Sequence, residues 1–165
     1  MKRYFIILVV LVAVMLYSAV CAWAEYSMPI VAVIPFEVTG IAQNDADAFT
    51  SQFAETLAAD GTVSVTDSRT VGVLLVQQGL TASELIDAER ATTFASEVGA
   101  DFLIIGKLFA LNDMAGTFVT IIGTHPVTVS VAVRQAESMN ALMEAVPELC
   151  AELLESMADG GNAVE

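Results

Sequence analysis

The chain has 165 residues, of which 56% are hydrophobic, six are Lys or Arg and 20 are Asp or Glu. This length supports one domain with a substantial core and is too short for two ordinary domains. The formal net charge of −14 repels polyanions, which excludes nucleic acid and anionic membrane surfaces as expected partners.

The first 24 residues have the three-part pattern of a secretory signal peptide. Lys2 and Arg3 form a basic start, residues 4–17 are apolar and uncharged, and Ala22-Trp23-Ala24 has the A-x-A form of a cleavage site. Cleavage after Ala24 leaves four basic and 20 acidic residues, a net charge of −16. A retained membrane anchor is the competing interpretation, because the apolar stretch approaches the ~20 residues that span a bilayer.

The two cysteines have different predicted fates. Cys21 allows a third interpretation of the N-terminus, a lipidated cysteine, although Val20 is a poor match to the small residue that such a signal prefers. Cleavage after Ala24 removes Cys21, so no intramolecular disulfide is expected in the mature chain. Cys150 lies among apolar positions of a predicted helix and is expected to be buried as a small hydrophobe.

The mature chain begins with an alternation of strands and helices. Residues 30–36 are continuously apolar and predict a buried strand that ends at Pro35. A loop over residues 40–44 leads to a helix capped by Asn44 or Asp45 and running to about residue 59. The predicted buried face of this helix consists of Phe49, Phe53 and Leu57.

Two more helices follow a short strand at residues 62–66. The first is capped by Asp67 or Ser68 and ends at Gly79. Residues 81–84, Thr-Ala-Ser-Glu, fit a capping box, and the main third helix begins at about Asp87 and stops at Gly99. Its apolar stripe consists of Ala88, Ala91, Phe94, Ala95 and Val98.

Residues 99–109 predict the central strand of the sheet. The run is short, apolar and rich in branched and aromatic residues, which is typical of a strand buried on both faces.

The last third of the chain predicts a meander and a helix. Residues 112–116 are turn-like, residues 117–124 form a strand, and His125-Pro126 breaks it. Residues 127–134 alternate valine with smaller or polar residues, which predicts a half-exposed strand. The final helix begins at Ser138, with a kink or break at Pro147.

The resulting element order is β-α-β-α-α-β-β-β-α. It predicts an α/β fold, a single three-layer sandwich in which helices pack on a mixed sheet of about five strands. The expected organisation is a signal peptide at residues 1–24, one domain at residues 25–158 and a flexible tail at residues 159–165.

No residue pattern predicts a catalytic, cofactor or metal site. His125 is the one histidine, stands in a turn and has neither a second histidine nor a CxxC pair to complete a zinc site. Asp45 and Asp47 are explained by the start of a helix rather than by a cation site. An unrecognised hydrolase stays open as an alternative if His125 lies in a cleft beside Asp113 or another acid.

Charges on the predicted elements offer two candidate contact regions. Lys107 in the central strand and Arg134 in the alternating strand either reach solvent or belong to a partner-binding edge. The C-terminal helix carries acids three or four residues apart, which form a solvated face or dock a basic partner. These acids are Glu144, Glu148, Glu152 and Glu155.

Three stretches of the chain resemble the curli production assembly/transport (CsgG) family. An apolar strand ends in Pro35-Phe36, and "GTVSVTDS" follows the first helix. A Gly-Ala-Asp turn at residues 99–101 leads into a strand that ends in Gly106-Lys107. The resemblance covers residues 30–134 and extends to the lipoprotein that activates a penicillin-binding protein and to the N-terminal domain of TolB.

The resemblance implies an exported, non-enzymatic α/β domain, periplasmic or associated with the outer membrane, that works through protein contacts in envelope assembly or secretion. It transfers no catalytic residue and implies no cofactor. Strands long enough for a membrane pore are not left over once the sheet is built, so pore formation is not expected. A lipid-anchored or oligomeric subunit of a secretion or assembly complex is the alternative.

Overall fold

The structure is a computed structural model that describes residues 28–111 and 114–158. The predicted signal peptide with Cys21 and Ala24, the predicted tail at residues 159–165, and Asp113 lie outside these ranges. The strands are β1 (Ile30–Val33), β2 (Glu37–Thr39), β3 (Ser64–Thr66), β4 (Phe102–Leu111), β5 (Met114–Thr124) and β6 (Val127–Ala136). The helices are α1 (Gln43–Asp60), α2 (Ser68–Gln77), a 3₁₀ helix (Ala82–Ile86), α3 (Ala88–Val98), α4 (Met139–Glu144) and α5 (Val146–Ala158).

The strands form one mixed sheet with β4 in the middle. The strand order is β3-β1-β4-β5-β6, and β2 also pairs with β4. The pairs on the β1 side are parallel, because helices connect those strands, and the β4-β5-β6 meander is antiparallel. The expected α/β class, mixed sheet and central strand are confirmed.

The first predicted strand is interrupted at Pro35. Val33 pairs with Ile104 and Glu37 pairs with Lys107, so three residues of the first strand stand opposite two of β4. The extra residue acts as a bulge, which is where a proline without an N–H donor is tolerated in a sheet. The strand then resumes as β2, an element that the sequence did not predict.

The bulge directs the ring of Phe36 onto the backbone of Gly106. A Cβ added at Gly106 would lie 2.0 Å from Cε1 of Phe36, so only glycine fits there. The ring also meets Phe49 and Phe53 edge to face, with centroids 5.2 and 5.4 Å away. Phe36 therefore joins the central strand to α1.

Helices cover the sheet unequally on its two faces. On one face, α1, α4 and α5 pack along the sheet and bury Phe49, Phe53 and Leu57 completely, as predicted. On the other face, α2, the 3₁₀ helix and α3 bury a smaller cluster around Phe94 and Leu103. The predicted three layers are confirmed, and both clusters consist of residues from the described ranges.

Two predicted boundaries were wrong and one was displaced by a residue. Helix α1 begins at Gln43 with Ala42 as its N-cap, and no side chain caps it, so neither Asn44 nor Asp45 has that role. The break expected at Pro147 is present, but α5 starts at Val146, so Pro147 is its second residue and not its first. Met114 to Gly116 belong to β5, since pairing with β4 continues through them.

The Gly-Ala-Asp turn ties three strand ends together. The Asp101 carboxylate accepts a hydrogen bond from the Ile30 N–H at 2.8 Å, and the backbone N–H of Asp101 donates to the Ile30 carbonyl at 2.8 Å. The Asp101 carbonyl accepts from the N–H and the hydroxyl of Thr124 at 2.9 and 3.0 Å. This motif thus aligns β1, β4 and β5.

We expect Asp101→Ala to lower the free energy of unfolding by about 1 kcal/mol, because it removes one charge-assisted hydrogen bond at an exposed position. Asp101→Asn keeps an acceptor oxygen and should lose less. Urea unfolding of residues 25–165 measures both, and an alanine variant as stable as wild type would contradict this role.

Candidate interaction surface

An exposed apolar surface covers the outer part of the sheet on β5 and β6. We call it the valine face and define it as Val127, Val129, Val131 and Val133 of β6, Met114 and Phe118 of β5, and Lys107, Phe109 and Leu111 of β4. The four valines are between 43% and 62% exposed, and Phe118 is 46% exposed. The predicted half-exposed strand is confirmed, with the valines on the exposed side.

The opposite side of β6 is the covered one. Ala132 is buried there. The Ser156 hydroxyl of α5 donates a hydrogen bond of 2.9 Å to the Ser130 hydroxyl of β6. Arg134 pairs with Glu152 of α5 at 2.8 Å. Small and polar side chains let this helix approach the strand closely, so the larger valines are left on the other side.

Helices on the second face stop short of the valine face. They bury Leu103 and Ile105 of β4 and Ile122 of β5, which lie near one end of these two strands. Met114 and Phe118 toward the other end of β5 are exposed, as are the four valines of β6, and none of them belongs to the cluster buried under these helices. The apolar surface therefore exists because one helical layer is narrower than the sheet.

Two aromatic rings form the firmest part of the valine face. Phe109 lies across Gly116, where an added Cβ would come within 2.3 Å of the ring. The ring centroids of Phe109 and Phe118 are 5.2 Å apart. Cross-strand aromatic pairs of this kind stabilise a sheet surface and hold its shape.

The valine face carries one charge. Strands β4, β5 and β6 contain no Asp or Glu, although the chain has 20 of them. Lys107 is exposed at the margin of the face, and Glu37 of β2 is its neighbour in the register. The Glu37 carboxylate accepts bonds from the N–H and hydroxyl of Ser83 at 3.2 and 2.7 Å.

The structure separates Lys107 from Arg134, which were predicted to belong to one contact region. Lys107 belongs to the valine face, whereas Arg134 points to the opposite side of the sheet and binds Glu152. The predicted acidic side of the last helices is exposed, with Glu152 engaged in that ion pair. Its remaining acids are Glu144, Glu148 and Glu155.

The other singled-out polar residues have local roles. His125 is exposed in the β5–β6 turn, with Nδ1 3.2 Å from the Thr124 hydroxyl. Asp47 accepts a bond from the Gln43 side chain at 2.9 Å, and Asp45 lies in the first turn of α1. Within residues 28–111 and 114–158, no three His, Cys, Asp or Glu side chains are grouped to hold a metal ion.

An open crevice lies between α1 and the carboxyl end of β3, and α/β proteins often bind ligands at the carboxyl ends of their strands. Its cavity of about 340 Å³ is lined by residues that include Glu55, Asp67 and Arg69. Hydrogen bonds from the hydroxyl and N–H of Thr70 lower the pKa of Asp67, so this carboxylate is engaged as the N-cap of α2. The lining mixes opposite charges and selects no ligand.

Cys150 is buried against α1, as predicted, with Sγ 3.8 Å from the Phe53 carbonyl. Burial raises the pKa of its thiol to about 12. Since the thiolate is the reactive form, the folded domain should resist alkylation.

We expect residues 25–165 to stay unmodified by iodoacetamide at about pH 8 and to gain one adduct in urea, because unfolding restores an ordinary thiol pKa. Intact-mass measurement decides between these states. Rapid labelling of the folded domain would contradict the burial of Cys150.

No helix among the described residues combines the length and apolar character that crossing a bilayer requires. No protein-family profile and no curated protein matches the sequence. The resemblance to the CsgG family therefore stays a prediction.

Solved structures do match the fold. Lipoprotein GNA1162 from Neisseria meningitidis shares 15% identity over 83% of this chain and 99% of its own, with a TM-score of 0.52. The NMR structure of Escherichia coli LpoB shares 15% identity over 66% of this chain and 57% of its own, with a TM-score of 0.50. The LpoB C-terminal domain from Salmonella enterica shares 15% identity over 66% and 82%, with a TM-score of 0.49. The chain has the fold of GNA1162 and LpoB.

Proposed function

We propose that this chain is an exported, non-enzymatic protein of the cell envelope that acts through contacts with other proteins in envelope assembly or secretion. The observation that carries the proposal is the valine face, because contiguous exposed apolar surface of this kind marks protein-binding sites. The predicted signal peptide at residues 1–24 supports export. The fold shared with a lipoprotein, GNA1162, fits the same compartment.

Fractionation of bacteria that express the full chain tests the export step. The expected result is a protein in the periplasmic or outer-membrane fraction whose intact mass corresponds to a chain that starts at Glu25. The control changes Ala24 rather than Trp23, because the A-x-A pattern requires a small residue at position 24 and not at position 23. Ala24→Arg should therefore block processing. Full-length protein in the cytoplasm for both versions would overturn the proposal.

The second candidate is a lipid-anchored subunit of a secretion or assembly complex, favoured by Cys21. Fatty-acid labelling of wild type, Cys21→Ala and Cys150→Ala separates the two. A lipid anchor requires label in wild type and Cys150→Ala and none in Cys21→Ala. Equal labelling of all three, or no label, removes the anchor.

A further inference from the structure

We propose that the valine face binds a second copy of this chain, so that two domains pack sheet against sheet. The inference rests on the described domain and does not depend on export or lipidation. It adds a defined interface to the proposed function.

The chemistry of the face selects an uncharged occupant. Lys107 is its one charged side chain, and it is exposed at the margin of the face. The centre of the face therefore offers a partner apolar contacts and no charge to pair with. The valine face of a second copy is an apolar surface without carboxylates, so it meets this requirement.

The net charge of the chain favours the valine face over the rest of the surface as the place where two copies meet. With a net charge of −14, two copies repel each other over most of their surfaces. The absence of Asp and Glu from β4, β5 and β6 leaves this part of the sheet as a region where two copies meet without opposed carboxylates. A twofold axis would pair the face with itself, which is the usual symmetry of homodimers.

The size of the face fits a weak dimer, because the face is smaller than a standard interface. Strand β6 has 10 residues. A strip of that length and two to three strands wide covers roughly 300–450 Å², about half of the ~800 Å² that each partner contributes to a standard interface. Sheets pack face to face about 10 Å apart, so the side chains of two such faces can interdigitate.

The edge of the sheet is left open as well. Within the described residues β6 pairs only with β5, and their register runs from Ala115–Ala136 to Thr124–Val127 without a bulge or a proline. Soluble proteins usually protect such an edge with bulges, prolines or lysines. An interface that covers the valine face also shields this strand from other pairings.

Sedimentation velocity of residues 25–165 tests the proposal, since both core clusters and all strand pairs lie within the described part of that range. The expected result is a monomer–dimer equilibrium with a dissociation constant of about 1–50 µM. It should tighten as salt rises from about 0.05 to 0.5 M, because salt screens the repulsion between acidic surfaces.

Val131→Glu and Val76→Glu form a matched pair. Val131 is 62% exposed on the valine face, and Val76 is 76% exposed on α2. Val131→Glu should weaken the dimer at least tenfold, since it places two carboxylates in an apolar interface. Val76→Glu adds the same charge and should leave the dissociation constant within about twofold.

Circular dichroism and thermal unfolding should show both variants folded, because each site is exposed in the monomer. A wild-type domain that stays monomeric to about 200 µM overturns the proposal. So does a dimer that Val131→Glu leaves unchanged, or one that both variants weaken equally. Export of a monomeric protein would leave the proposed function in place and remove this interface.

Discussion

Gly106→Val is expected to cost about 3 kcal/mol of unfolding free energy, since a Cβ there would lie 2.0 Å from the Phe36 ring. The ring is confined between β4 and the two phenylalanines of α1, so it has no free volume into which to move. For a domain of this size the loss corresponds to roughly 10 °C in melting temperature. Thermal and urea unfolding of residues 25–165 measure it.

Two control variants identify the cause. Gly61→Ala changes a glycine at φ 77° with no atom within 4 Å of the added Cβ, so only backbone strain of about 1 kcal/mol is expected. Combining Gly106→Ala with Phe36→Ala should cost less than the sum of the single changes, because the second change removes the clash. Additive losses would show that the ring and the glycine are not coupled.

Phe53→Ala should destabilise the domain by about 3–5 kcal/mol. Phe53 is fully buried, meets Phe36 at 5.4 Å and stacks with Phe49 at 6.2 Å, so its loss leaves a cavity between α1 and the sheet. The surrounding rings and the central strand hold their positions through other contacts, which limits how far the cavity can collapse.

Val76→Ala is the control for Phe53→Ala. It also truncates an apolar side chain, but one that is 76% exposed, and a change within about 0.5 kcal/mol is expected. Chemical denaturation of the two variants under the same conditions compares them directly. Similar small losses for both would mean that α1 does not anchor the core as described.

The local patterns that predicted the fold correctly are those in which one residue type has one physical role. Phe49, Phe53 and Leu57 repeat at helical spacing and are buried together. Gly99 ends α3 in the left-handed region, with φ 67°, where glycine has no Cβ penalty. Asp67 accepts the N-cap bond from Thr70.

Long-range contacts set the features that the sequence could not show. The bulge at Pro35 and the strand after it depend on pairing with Lys107 to Phe109, about 70 residues away along the chain. The Gly106 position depends on Phe36 in the same way. Local periodicity reports neither contact.

The valine face was missed for a different reason. Alternation shows that the two sides of β6 differ in polarity, yet it does not show which side a helix covers. Ser130 and Ala132 are small enough for α5 to approach, and Arg134 finds Glu152 on that helix. The sequence signal for the covered side was the pair of opposite charges on Arg134 and the acids of the last helix. An ion pair between them places that helix on the Arg134 side of β6 and leaves the valines on the other side.

If two copies of this chain pack through the valine face, that contact should also form in the cell envelope. Photo-crosslinking from a reactive side chain at position 131 of the exported full chain tests it most directly, with position 76 as the control. We expect an adduct of twice the chain mass from position 131 and none from position 76. Monomer alone from position 131, or the same adduct from both positions, would contradict it.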